Sequence, residues 1–201
     1  MENFSLKIVG VCALAFIIQL IFPVFEETFL LTSSEVVSQP WTLITSMFLH
    51  GDFFHLFYNM FALGLFGLIL EKTIGSKNFL IVYFVGGLVA GISVTFFYNA
   101  ALGASGGVMA ILGCLAVIRP KMRVFIGMIP MPMAVAALVW IGGDVIGLFA
   151  PSGIANAAHL GGMFFGLVAG LYFRNYYKEK TIRPTRQLSE SRFNNWEDRW
   201  M

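Results

Sequence analysis

The sequence predicts an all-α protein that crosses a membrane several times, and three observations carry that prediction. Hydrophobic residues make up 58% of the 201 positions before the 21 Gly are counted, while charged residues make up 12%, about half the share of a soluble domain. The thirteen Lys and Arg fall in narrow groups, leaving residues 8–71, 78–118 and 124–173 without any. A spanning helix needs about 20 residues, so each stretch accommodates one helical hairpin and every basic residue comes to lie on one side. The positive-inside rule makes that side the cytoplasm, with both termini there. A formal charge of +2 gives no reason to expect a nucleic-acid partner. Cys12 and Cys114, far apart and without a C-x-x-C pattern, exclude a disulfide framework and a cysteine zinc site.

Six helices follow, at 7–24, 53–71, 79–97, 105–118, 131–149 and 157–174. No small-x-small site follows Pro23, so the first helix reads as a retained span and not a cleaved signal peptide. The connection over 25–51 mixes Glu26, Glu27 and Glu35 with an apolar run around Trp41, which predicts a structured element in the outer interface. Asp52 is placed to cap the second helix, and Glu71 at its other end is expected to be a lipid head-group or interhelical hydrogen-bond partner and not a catalyst. The fourth helix has room for 14 residues, about 21 Å against a hydrocarbon thickness of about 30 Å. With its inner end fixed by Arg119 and Lys121, its outer end stops short of the surface. Residues 99–104 must then dip into the membrane beside a water-filled cavity, with Ser105 at the floor. Residues 1–177 form the membrane domain; 178–201 read as a basic cytoplasmic tail whose Trp196 and Trp200 touch the membrane surface. No internal repeat argues for a transporter.

Polar residues within apolar helices mark the candidate site. His55 and Asn59 are four apart and share a face of the second helix. His159 heads a stripe of Gly162, Gly166 and Gly170 on the sixth, and such a stripe allows close helix approach. Ser105 opens the fourth helix between Gly103, Gly106 and Gly107, which strip side chains from around the hydroxyl. A hydroxyl is a poor nucleophile until a base takes its proton, and an imidazole in reach supplies that base. The amide of Asn59, the ring of His55 and the backbone N–H of Ser105 can serve as donors to an oxyanion. With Asp144 on another helix and Asp52 at the surface, no acidic third member is evident, and a Ser–His dyad is expected.

These residues resemble the three signatures of the rhomboid intramembrane serine proteases: His50-x4-His55-x3-Asn59, Gly103-Ala104-Ser105-Gly106 and Ala158-His159-x2-Gly162-x3-Gly166. The resemblance covers about residues 7–175 and implies a six-helix rhomboid-like bundle with a membrane-embedded first loop. It implies Ser105 as nucleophile, His159 as general base, His55 and Asn59 as oxyanion donors and His50 as support for the site and its water. It also implies that the fifth helix and its loop to the sixth gate access, and that the substrates are single-pass membrane proteins, with no cofactor or metal. Two positions depart from the family pattern. Trp41-Thr42 stands for a Trp-Arg pair in the first loop, and Met109 for a Tyr four residues after the nucleophile.

Two competing readings use the same residues. An inactive relative would bind and escort membrane helices, but would lack the Ser or the His. A metal-dependent hydrolase would recruit His50, Asp52, His55 and His159; yet His50 and His55 are five apart, about 140° around a helix, where helical zinc ligands sit at i and i+4.

Overall fold

The computed structural model describes residues 2–150 and 153–175. The predicted tail over 178–201, with Trp196 and Trp200, lies outside the described residues. The chain runs α1 (Phe4–Ile21), α2 (Pro23–Phe29), β1 (Leu31–Thr32), α3 (Thr42–Thr45), α4 (Phe53–Ile74), α5 (Ser76–Phe97), β2 (Ala100–Ala101), α6 (Ser105–Ile118), β3 (Arg123–Ile126), β4 (Ile129–Pro132), α7 (Met133–Gly147) and α8 (Asn156–Asn175). Among the described residues, α1, α4, α5 and α8 are long and apolar enough to cross a membrane, while α6 and α7 are apolar but shorter, at 14 and 15 residues.

The centre of the molecule is α6. Its residues from Gly106 to Ala116 are nearly all buried, because a helix that is apolar on every side must be enclosed. Small residues bring the neighbours close. A side chain at Gly106 would strike Ala90 of α5, one at Gly86 of α5 would strike Ala110, and ones at Gly162 and Gly166 of α8 would strike the carbonyls of Gly106 and Ala110. Gly170 continues the same face, where a Cβ would lie 2.8 Å from that of Val117 and 2.9 Å from the carbonyl oxygen of Cys114.

At the opposite end from the polar cluster, one carboxylate joins three helices. Asn3 makes no side-chain cap for α1; instead Glu71, in the last turn of α4, accepts from the N–H groups of Phe4 and Ser5, each at 3.0 Å, and from the hydroxyls of Ser5 and Ser76 at 3.0 and 2.7 Å. The orphan amides of a helix start thus meet a negative group, as the helix dipole favours. Of the two roles open to Glu71, the structure shows the interhelical one. Cys12 and Cys114 are buried and unbridged.

The elements correct the sequence expectations at several points. The first helix ends at Ile21, short of residue 24: Phe22 is extended, and Pro23, tolerated at a first helical position, opens α2. The second predicted helix holds one π-turn over Leu63–Gly67, which sequence periodicity does not show. Residues 123–132 form an antiparallel hairpin, with Arg123 opposite Pro132 and Gly127 at φ +60° in its turn; α7 consequently starts at Met133 instead of 131. The 25–51 connection is structured as expected. It holds α2, β1, α3 and a 3-10 turn over Ser46–Phe48, and it pairs with the segment before α6, Leu31 opposite Ala101 and Thr32 opposite Ala100. Thr42, where the resemblance would have an Arg, is buried and donates to the Gln39 carbonyl at 2.6 Å.

Candidate active site

Ser105 is the first residue of α6, and the backbone leading to it is held from two sides. The β1–β2 pairing fixes residues 100–101, and the N–H of Gly103 donates to the Ser46 carbonyl at 2.9 Å. Gly103 has φ +124°, a conformation that side chains resist, and a Cβ there would lie 2.8 Å from both Cε1 and Nε2 of His55 and 3.9 Å from Oγ of Ser105. Glycine is needed there on both counts. It lets the hydroxyl and the His55 ring face the same small space.

His159 approaches from α8. Its Nε2 is 2.8 Å from Ser105 Oγ. The start of α8 is fixed by Tyr98 at the end of α5, whose hydroxyl accepts from the Ala157 N–H at 3.1 Å. Pressure of Gly162 and Gly166 on the α6 backbone then sets the separation of the two helices and hence of the two side chains.

The other face of the His159 ring corrects the sequence reading. Nδ1 lies 3.0 Å from Oδ1 of Asp144 on α7, with the two side chains only 15% and 9% exposed. The expected dyad is thus a Ser105–His159–Asp144 chain of hydrogen bonds. Asp144 lies one turn before the end of α7 and His159 one turn after the start of α8, so the hairpin between them sets both at the same depth. A sequence signal existed: Asp144 is the one acid between Glu71 and Glu179, and an ionisable group inside an apolar helix marks function by default. The two residues lie on consecutive helices, near the ends that face each other.

His55 and Asn59 line the same cavity as Ser105 and His159. Asp52 caps α4 as expected, its Oδ1 accepting from the His55 N–H at 2.9 Å. The N–H of Gly51 points at Nδ1 of His55 over 3.4 Å, which makes Nδ1 the acceptor and Nε2, towards Gly103, the donor. Asn59 Nδ2 donates one hydrogen to the His55 carbonyl at 2.9 Å; its second amide hydrogen is left for another acceptor. His50 lies apart from the cavity lining. It is 1% exposed, edge-on to His55 with ring centroids 5.1 Å apart, and among the described residues neither of its ring nitrogens is within full hydrogen-bond geometry of a partner. Gln19 holds its backbone, accepting from the His50 N–H at 3.0 Å and donating to its carbonyl at 3.2 Å. Burial, reinforced by the neighbouring His55, pushes the His50 imidazole down from its ordinary 6.5 to about 4.

The cavity has a volume of about 1110 Å³. Phe54 and Tyr58 of α4 form one wall, and Gly147, with Leu148 and Phe149 just beyond α7, the other. A hydroxyl bonded to an imidazole, with a ring N–H and a helix N-terminus nearby, is chemically equipped for acyl transfer.

The rhomboid domain model matches residues 37–176. The chain belongs to the rhomboid family. Among its relatives, it is 31% identical to the rhomboid protease GlpG of Haemophilus influenzae over 151 residues, covering 74% of this chain and 73% of that one. It is 30% identical to the mitochondrial rhomboid protein 1 of Saccharomyces cerevisiae over 175 residues, which is 81% of this rhomboid and 49% of the yeast protein. With the rhomboid protease GluP of Bacillus subtilis it shares 33% identity over 131 residues, or 64% of its own length and 25% of the relative's. This rhomboid therefore spans about half or less of the yeast and Bacillus proteins. It is a multi-pass membrane protein by family and by its apolar helices.

Proposed function

We propose that this rhomboid is an intramembrane serine endopeptidase that cleaves transmembrane segments of single-pass membrane proteins. The observation that carries the reading is the 2.8 Å contact between Ser105 Oγ and His159 Nε2 on the floor of the cavity. Ser105 attacks the peptide carbonyl as His159 takes its proton, and His159 returns that proton to the leaving amine. His55 Nε2–H, the Asn59 amide and the Ser105 N–H receive the oxyanion, while Gly103, Gly106, Gly162 and Gly166 bring these groups together and His50 backs His55.

Lateral access suits a substrate already in the membrane. The cavity reaches between α4 and the outer end of α7, and the stacked Phe53, Phe57 and Phe61 on α4 are exposed, as a lipid-facing surface would be. A peptide bond locked in a helix cannot present its carbonyl to Ser105, so the cleaved segment unwinds locally. The topology that fits has α1, α4, α5, α6, α7 and α8 as six crossings in the cell membrane, with both termini cytoplasmic and the cavity facing outward.

The test is cleavage of a model transmembrane substrate by protein reconstituted in lipid vesicles. Ser105→Ala and His159→Ala each abolish product without unfolding the protein, and the double variant is no worse than either single one, because the two residues act as a unit. Full activity of the Ser105 variant rejects the serine mechanism, and retained binding of membrane helices without cleavage by the wild type favours an escort role instead.

A further inference from the structure

We propose that Asp144 positions His159 as the base, and that it does so only while α7 is seated against α8. The proposal rests on the serine-protease reading and deepens it. The Asp144 carboxylate is buried, and among the described residues its one side-chain hydrogen bond is the 3.0 Å contact to His159 Nδ1. A carboxylate accepts and does not donate, so it holds the ring proton on Nδ1. That leaves Nε2 with its lone pair towards the Ser105 hydroxyl 2.8 Å away. The neutral ring otherwise has two tautomers, and only this one takes the serine proton.

Distance and orientation have separate sources. The groups facing His159 are Ser105 from α6, His55 from α4 and Asp144 from α7. The α6–α8 separation is fixed by glycines pressed against backbone, which have no room to yield. Packing of α7 is looser at its glycines: Cβ atoms at its Gly142 and Gly143 would meet nothing within 4 Å. Near its outer end Gly147 rests on Asn156 of α8, where a Cβ would lie 2.5 Å from Nδ2. Because α7 also forms a cavity wall, outward displacement of its end by a substrate carries Asp144 off the ring while leaving Ser105 and His159 in contact. Full base strength then returns when the helix reseats around the bound segment.

The experiment uses purified protein in vesicles and two readouts. One is kcat and KM for a transmembrane substrate; the other is the rate at which a small soluble fluorophosphonate labels Ser105, normalised to the folded fraction. In Asp144→Asn the amide can present N–H to Nδ1 and select the wrong tautomer, so kcat and labelling fall by up to about 10,000-fold while KM stays within about twofold. Asp144→Glu retains a carboxylate and recovers at least about tenfold over Asn. A purely space-filling role gives the opposite order, since Asn is the closer isostere. Gly147→Val, which pushes α7 off Asn156 with all three side chains intact, slows labelling as well. Asp144→Asn within about threefold of wild type, or at least as active as Asp144→Glu, overturns the positioning role; wild-type labelling in Gly147→Val overturns the dependence on α7. Wild-type protein that neither labels at Ser105 nor cleaves rejects the protease reading itself, an outcome distinct from both.

Discussion

Three histidines sit in one small region, and their partners separate them. His159 has a hydroxyl on one nitrogen and a carboxylate near the other, and His55 has a backbone N–H on one and faces the cavity with the other. His50 has neither. A deeply buried imidazole beside a second one pays the desolvation cost of becoming charged, so it stays neutral in the folded protein down to about pH 4 while the unfolded chain takes up the proton near 6.5. Between those values the unfolded state binds more protons. The stability associated with neutral His50 is therefore complete above pH 6.5 and is lost progressively as pH falls through this window towards 4, by a total of about 3 kcal/mol. His50→Asn does not titrate, and its unfolding midpoint should decline less steeply than that of the wild type between pH 7 and 4.5. Identical slopes would show that His50 does not carry this acid sensitivity. At this scale the sequence was informative because a polar side chain in an apolar segment is conspicuous; what it could not show is which nitrogen meets which neighbour. Asp144 illustrates the difference, being plain in the sequence while its partner was not.

Between elements, contact is made by glycine. The α8 column was readable from spacing alone, since i, i+3, i+7 and i+11 share a face in any helix, and the structure seats that face on the backbone of α6. Gly166→Leu forces the two helices apart. Misplacement by about 1 Å can cost on the order of 100-fold in rate, so this variant should insert with the wild-type topology yet cleave at about 1% of the wild-type rate or less, with Gly166→Ala intermediate. A wild-type rate in purified Gly166→Leu protein would mean that this contact does not set the catalytic distance. The β3–β4 hairpin and the π-turn of α4 carry no such signal, for related reasons. Arg123–Ile126 and Ile129–Pro132 are short and apolar, with a turn marked by a single glycine, and a hydrophobic run so brief does not distinguish strand from helix. A π-turn adds a residue to one turn without changing composition, so an apolar helix conceals it.

For the molecule as a whole, charge was the most legible feature. Basic groups that recur only between apolar hairpins determine which loops share a side, and the helices start and stop within a few residues of the limits those groups impose. Six crossings with both ends cytoplasmic make a definite expectation: reporter fusions at either terminus and in the 72–77 loop read out as cytoplasmic, and a fusion in the 98–104 segment as external. A terminus reporting from the outside would overturn the topology, and with it the outward direction of the cavity.

The carboxylate of Glu71 also imposes an order on synthesis. It accepts from amides 66 and 67 residues upstream, so the beginning of α1 leaves the ribosome and enters the membrane long before its cap exists. Until the last turn of α4 follows, those N–H groups must remain with water or lipid head groups, and α1 cannot settle into its final position. Ser76, the first residue of α5 directly after the Gly75 break, completes the set. A single buried carboxylate thus makes α1, α4 and α5 one interdependent trio, in which the start of the first helix is complete only when the end of the second is in place.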